Sequence, residues 1–313
     1  MTIVTPARSF LRVSDLDEHE LGALLDVAAA MRAEPQGWRL TLDGQTLACY
    51  FTKPSTRTRV SFEAAAWRLG MLPVMLRPDE LQLGRGEPLE DTARVLSRYA
   101  AALVVRTFAQ ADLDALAATA SVPVINALTD EHHPCQALAD LLTLRDRFGT
   151  LEGLRIAYLG DGNNVAHSLI EAASLAGMHT VIATPRGFEP DATITARATF
   201  TARTRGGSVH VTDDPAVAAR GAHAVYTDVW VSMGQDSERD ERLAALSPYR
   251  VDGALMALAD LEAVFLHCLP AHRGEEVAAE VIDGAVSAVW DQAANRLPTE
   301  QAVLYALITG RWC

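Results

Sequence analysis

Strand-sized apolar runs alternate with helix-length amphipathic segments along this 313-residue chain, and that alternation narrows the possible folds more than any other feature. In the first half, the runs Leu47 to Phe51, Leu103 to Arg106 and Val122 to Ala127 are separated by helical patterns over Arg59 to Leu69, Leu89 to Tyr99 and Gln136 to Arg147. In the second half, Arg155 to Leu159, Thr180 to Ala183, Val209 to Val211, Ala224 to Thr227 and Val264 to Cys268 repeat the pattern. A chain this long exceeds the usual size of one compact domain. The expected class is α/β, in two domains, each a parallel sheet flanked by helices, with the active site in the cleft between them. The boundary is expected at Phe148-Gly149-Thr150, where a helical segment ends in glycine, so the domains read as 1–148 and 149–297.

Composition excludes several classes. Hydrophobic residues make up 49% and charged residues 21%, ordinary values for a folded protein. The apolar runs are too short to span a membrane, and the N-terminus lacks the basic-then-apolar pattern of a signal peptide. A formal charge of −13 argues against a nucleic-acid surface, so an anionic ligand must meet a local positive pocket. Cys49, Cys135, Cys268 and Cys313 show neither CxxC pairing nor zinc-site spacing, and are expected as free thiols of a cytoplasmic protein. Lys53, the one lysine, precedes proline, which fits neither a Walker A loop nor a Schiff-base site.

In open α/β sheets ligands gather at the carboxyl ends of strands. After the run ending at Phe51 comes Thr52-Lys53-Pro54-Ser55-Thr56-Arg57-Thr58-Arg59, a loop and a helix start. Ser55 and Thr56 suit a helix cap, which is what such a pair usually is. The N–H groups of a first helical turn also hold phosphate, and Arg57 adds forked charged donors that capping does not explain. Arg106 ends its strand, and His133-Pro134-Cys135-Gln136 lies between a strand and a helix. Arginine, imidazole and carboxamide groups there could each stabilise negative charge developing on a carbonyl oxygen. Taken singly, His133 reads as a loop residue and Gln136 as a solvated helix start.

Ser55-Thr56-Arg57-Thr58-Arg59 followed downstream by His-Pro-x-Gln resembles the carbamoyl-phosphate motifs of the aspartate and ornithine carbamoyltransferases. The resemblance implies that Ser55, Thr56, Arg57, Thr58, Arg106, His133 and Gln136 bind carbamoyl phosphate. It implies that Gln82 reaches the same ligand from a neighbouring subunit of a homotrimer. Arg296, in Asn295-Arg296-Leu297-Pro298, matches the arginine that completes the pocket, with the helix over 298–313 packing back on the first domain.

Two further segments resemble signatures of the ornithine branch: Asp228-Val229-Trp230-Val231-Ser232-Met233-Gly234 and His267-Cys268-Leu269-Pro270. Arg85 stands where the aspartate branch carries a lysine, and the two side chains are not interchangeable. By resemblance, Asn164, Asp228, Ser232 and Met233 hold the amino acid, while Cys268 and Leu269 also lie against carbamoyl phosphate. Asp228 and Cys268 are assigned to orientation and proton handling, since making an amine with a pKa of about 10.4 neutral at pH 7 costs roughly 4–5 kcal/mol. Alone, Cys268 reads as a small buried hydrophobe and Asp228 as a turn former.

The implied activity is transfer of a carbamoyl group from carbamoyl phosphate to the side-chain amine of L-ornithine. The expected catalytic residues are Arg106, His133, Gln136, Asp228 and Cys268, with no metal and no organic cofactor, carbamoyl phosphate bound first, and domain closure by ornithine. A dinucleotide-dependent oxidoreductase is the main rival, because Gly160-Asp161-Gly162 follows a strand. Val165 occupies its third glycine position, and Ala183-Thr184-Pro185 lacks the acidic residue for a ribose. A noncatalytic relative and a carbamoyltransferase for another amine are the remaining alternatives.

Overall fold

A computed structural model describes residues 7–77, 86–232 and 234–312. Among the described residues nine strands form two wholly parallel sheets. The first contains β1 (Thr46–Phe51), β2 (Leu72–Leu76), β3 (Ala102–Arg106) and β4 (Val124–Leu128), in the order β2-β1-β3-β4. The second contains β5 (Arg155–Leu159), β6 (His179–Ala183), β7 (Ser208–Thr212), β8 (Ala224–Thr227) and β9 (Val264–Leu266), in the order β7-β6-β5-β8-β9. Helices connect the strands, which is what parallel pairing demands of the connections.

Burial explains why most strands are continuous apolar runs. Every residue of β3 and β8 is buried, as is every residue of β9. The edge strands β2 and β7 alternate exposed and partly buried positions instead. Leu103, Val105, Leu113, Leu116 and Val124 anchor the core on one face of the first sheet. Leu159, Val225, Phe265, Val281 and Ile282 do the same for the second.

Chain order reverses direction between β1 and β3 in the first sheet, and between β5 and β8 in the second. Such switch points leave a crevice at the carboxyl ends, because the connecting helices depart to opposite sides. Phe51 pairs with Arg106 across one switch point, and Leu159 with Thr227 across the other. The Ser55 loop, Arg106, the Gly160-Asp161-Gly162 loop and Asp228 all start from these strand ends.

The chain divides into two compact units at Leu138/Ala139 and at Ala294/Asn295. The sequence places these boundaries later, after 148 and after 297. Residues 139–148 are grouped with the second unit, where Asp140 accepts a hydrogen bond from Gln292 Nε2 at 2.7 Å and Phe148 meets His223 edge-on. Likewise the last long helix, Val289–Thr309, carries Pro298 inside it rather than starting there. Among the described residues no helix is long and apolar enough to cross a membrane.

Candidate active site

In the first unit the loop after β1 ends in a helix cap. Ser55 has an extended backbone, and its Oγ accepts from the Thr58 N–H at 3.3 Å, starting the helix Thr56–Arg68. This leaves other first-turn N–H groups directed out of the helix, where the positive dipole end favours an anion. Arg57 and Thr56 are exposed at this end and Thr58 is buried.

Arg296 ties the pocket together. Its Nη1 donates to Gln136 Oε1 at 3.0 Å, and its Nη2 donates to Thr58 Oγ1 at 3.1 Å. Its Nε and Nη2 also donate to Glu300 Oε1 at 3.0 and 2.7 Å. One guanidinium thus joins the helix starting at Thr56, the helix starting at Pro134 and the last helix, using the fixed fork geometry that lysine lacks. Burial pushes the Glu300 carboxyl up to about 7, against the opposing pull of Arg296.

His133 is buried, and its pKa is held well below the ordinary imidazole value. Loss of hydration is the main cause, followed by repulsion from Arg296, Arg106 and Arg57. The imidazole is therefore neutral at pH 7, a hydrogen-bond donor toward a carbonyl oxygen rather than an acid. Arg106, His133, Gln136 and Arg296 are all buried polar groups of the first unit.

Lys53 was set aside on sequence, yet it is buried beside this loop. It pairs with Asp130 and lies 4.0 Å from the centroid of the Phe108 ring. The ammonium thus fixes the turn before Ser55 from behind, an arrangement that no local sequence pattern signals.

In the second unit Asp228 is the hub. Cys268 Sγ donates to its Oδ1 at 3.0 Å, and Asn163 Nδ2 donates to its Oδ2 at 2.9 Å. The thiol is therefore held as a proton donor to the carboxylate. Asn163 Oδ1 also accepts from the N–H groups of Val165 and Ala166, at 2.9 and 3.2 Å, and from the Tyr158 hydroxyl at 3.1 Å. Asn163, beside Asn164, is not among the residues that the sequence singles out. An asparagine just ahead of an apolar helical run is a cap signal, and that signal would have found it.

Leu269 has φ 60°, a left-handed conformation that costs a non-glycine residue roughly 1–3 kcal/mol. A hydrogen bond offsets part of this: the Leu269 N–H donates to His267 Nδ1 at 2.8 Å. His267 Nδ1 is thus an acceptor, and the ring proton sits on Nε2, 3.2 Å from Glu276 Oε1. Asp228, His267 and Cys268 could together face a metal ion. Both nitrogens of His267 are engaged, however, so the trio is spoken for by its own hydrogen bonds.

The segment after Asp228 is clamped by Arg242. Its Nε donates to the Trp230 carbonyl at 2.7 Å, its Nη2 pairs with Asp161, and its guanidinium lies 5.0 Å from the Phe188 ring centroid. Burial pushes the Asp161 carboxyl up to about 6, with Arg242 opposing. Ser232 is half-buried, and its N–H donates to Gln235 Oε1 at 2.9 Å. Asn164 is the first residue of its helix. Gln82, Arg85, Met233 and Cys313 lie outside the described residues. Of the other cysteines, Cys49, Cys135 and Cys268 are free thiols.

Two family models match the chain. Residues 8–146 match the aspartate/ornithine carbamoyltransferase carbamoyl-P binding domain, and residues 152–307 match the Asp/Orn binding domain of the same family. The ornithine carbamoyltransferase of Gloeobacter violaceus is 52% identical over 302 residues, covering 96% of each chain. That of Acidothermus cellulolyticus is 53% identical over 301 residues, again covering 96% of each. The solved ornithine carbamoyltransferase of Pyrococcus furiosus superposes with a TM-score of 0.93 at 46% identity, covering 99% of both chains. With these likenesses spanning nearly its whole length, the chain belongs to the aspartate/ornithine carbamoyltransferase family, on its ornithine carbamoyltransferase branch.

Proposed function

We propose that this protein transfers the carbamoyl group of carbamoyl phosphate to the side-chain amine of L-ornithine, giving L-citrulline and phosphate. The observation that carries the reading is the bonding of Asp228 to Cys268, which joins the two ornithine-branch signatures at one carboxylate. Ser55, Thr56, Arg57 and Thr58 bind the phosphate of carbamoyl phosphate. Arg106 and neutral His133 donate to the carbamoyl oxygen, and Gln136, oriented by Arg296, holds the carbamoyl group. Cys268 and Leu269 border the same ligand.

Asn164, Ser232 and Met233 hold the α-amino and carboxylate groups of ornithine. Asp228 and Cys268 orient its side-chain amine, and the Asp228 carboxylate takes up the proton lost on the way to the neutral nucleophile. The amine attacks the carbamoyl carbon, negative charge builds on the carbonyl oxygen against Arg106 and His133, and as the C–O bond breaks phosphate departs toward Arg57, carrying away the second proton that the attacking nitrogen sheds. Carbamoyl phosphate binds first and ornithine second. No resident metal or organic cofactor takes part. The working form is a homotrimer, with Gln82 of each subunit reaching a neighbour's carbamoyl phosphate. The enzyme acts in the cytoplasm, in the biosynthetic direction of arginine metabolism.

The test is product formation from carbamoyl phosphate with ornithine, N-acetylornithine, putrescine and aspartate offered separately at equal concentration. Turnover with ornithine alone is expected. Preference for another amine would overturn the roles of Asp228, Ser232, Met233 and Cys268, and silence with all four would overturn the activity itself.

A further inference from the structure

We infer that His272, Glu275 and Glu276 form a seat for a divalent transition-metal ion of the zinc class, separate from the substrate-binding residues. The three offer ligand atoms within 4.8 Å of one another. They are brought together by a tight turn, in which the Glu275 N–H donates to the His272 carbonyl at 2.9 Å and the Gly274 N–H to the Val277 carbonyl at 2.8 Å.

Glu276 supplies the second, independent observation. Its side chain is fully buried, and Oε1 already accepts from the His272 N–H at 2.5 Å and faces His267 Nε2 at 3.2 Å. Oε2 is buried without a hydrogen bond. A buried carboxylate oxygen left unmet is costly, and one that lies toward a ring nitrogen has a ready remedy in a shared cation.

The spacing suits that cation. Oε2 of Glu276 lies 3.7 Å from His272 Nδ1. Zinc bonds of about 2.0–2.2 Å at a tetrahedral angle place two ligand atoms roughly 3.4 Å apart, so the pair needs only a small contraction. An imidazole with carboxylates favours zinc, cobalt or nickel over magnesium or calcium, which prefer all-oxygen sets. His272 is half-exposed, which leaves a path from solvent and an open position for water. The neighbouring arginines leave the seat its acidic character. Arg273 is turned to Asp283, and Arg239 pairs with one oxygen of Glu275, whose carboxylate has a second. The ion would share Glu276 with His267, and His267 in turn supports the Leu269 turn beside Cys268.

The experiment is calorimetric titration of the full-length, chelator-treated protein with Zn²⁺, paired with Co²⁺ absorption spectra. Wild type should take up a single ion per chain. His272→Ala and Glu275→Gln, both partly exposed positions, should weaken uptake about tenfold or more with the fold unchanged by circular dichroism. Cys268→Ser should bind as wild type does, and the Co²⁺ form should lack a thiolate-to-cobalt charge-transfer band. Uptake lost in Cys268→Ser, a thiolate band, uptake unaffected by His272→Ala, or no uptake at all would each overturn the seat.

Discussion

Asn163 joins a helix start to the Asp228 carboxylate in the second unit. Its Oδ1 caps a helix and its Nδ2 holds Asp228. Asn163→Asp keeps the capping oxygen but sets a like charge against Asp228. Its kcat/KM for ornithine should fall by roughly tenfold or more, about 1.4 kcal/mol of transition-state stabilisation, while thermal stability changes little. Asn163→Ala should lose both roles, adding about 1 kcal/mol of destabilisation in a urea titration.

Glu300 makes a prediction in pH. Its folded pKa of about 7 lies above the ordinary carboxylic value, so the native state binds the extra proton between about pH 4.5 and pH 7. The unfolded chain has already released it there, so this group's contribution to stability falls as pH rises through that window and is level above it. Glu300→Gln should flatten that slope in melting temperatures measured from pH 5 to pH 8. A slope unchanged from wild type would assign the pH dependence to other groups.

Among elements, the strands flanking the switch points were the most legible in the sequence. Arg155–Leu159 and Ala224–Thr227 coincide with the runs read from the sequence, every residue but Arg155 being buried. Leu72–Leu76 left no such trace. It is an edge strand with an exposed Leu72 and a proline at its second position, so its alternation is weak and its composition reads as loop. The helix over Val289–Thr309 was read as beginning at Pro298, because proline normally ends a helix. The helix nonetheless runs through Pro298, with the hydroxyl of Thr299, just beyond it, bonded to the Asn295 carbonyl.

The candidate site divides in the same way. Motif residues such as Ser55, His133 and Asp228 are visible in sequence because their chemistry is local. Lys53 and Arg242 act through partners distant along the chain, and no spacing announces them. For the loop after Asp228, the clamp by Arg242 carries a further prediction. Arg242→Met should raise the KM for ornithine roughly tenfold while leaving the KM for carbamoyl phosphate near wild type. Arg242→Lys should recover only part of the loss, since one ammonium cannot reach both Asp161 and the Trp230 carbonyl.

For the molecule as a whole, ligand binding and stability should be linked through the first unit. Carbamoyl phosphate at 100 times its Kd should stabilise the folded state by about 2.7 kcal/mol, read as a rise in melting temperature. Arg57→Gly should abolish that rise while leaving the melting temperature of the unliganded protein near wild type, because Arg57 is exposed and outside the core. A normal rise in that variant would remove Arg57 from the phosphate site.

The division of the chain at Leu138/Ala139 and Ala294/Asn295 makes the second unit an insertion within the first. Thr58 and Gln136 emerge from the ribosome early, but their shared partner Arg296 follows only after the entire second unit has been made. During synthesis β1 to β4 of the first sheet are therefore all made before Arg296, which clasps Thr58 only once the inserted unit is complete in sequence.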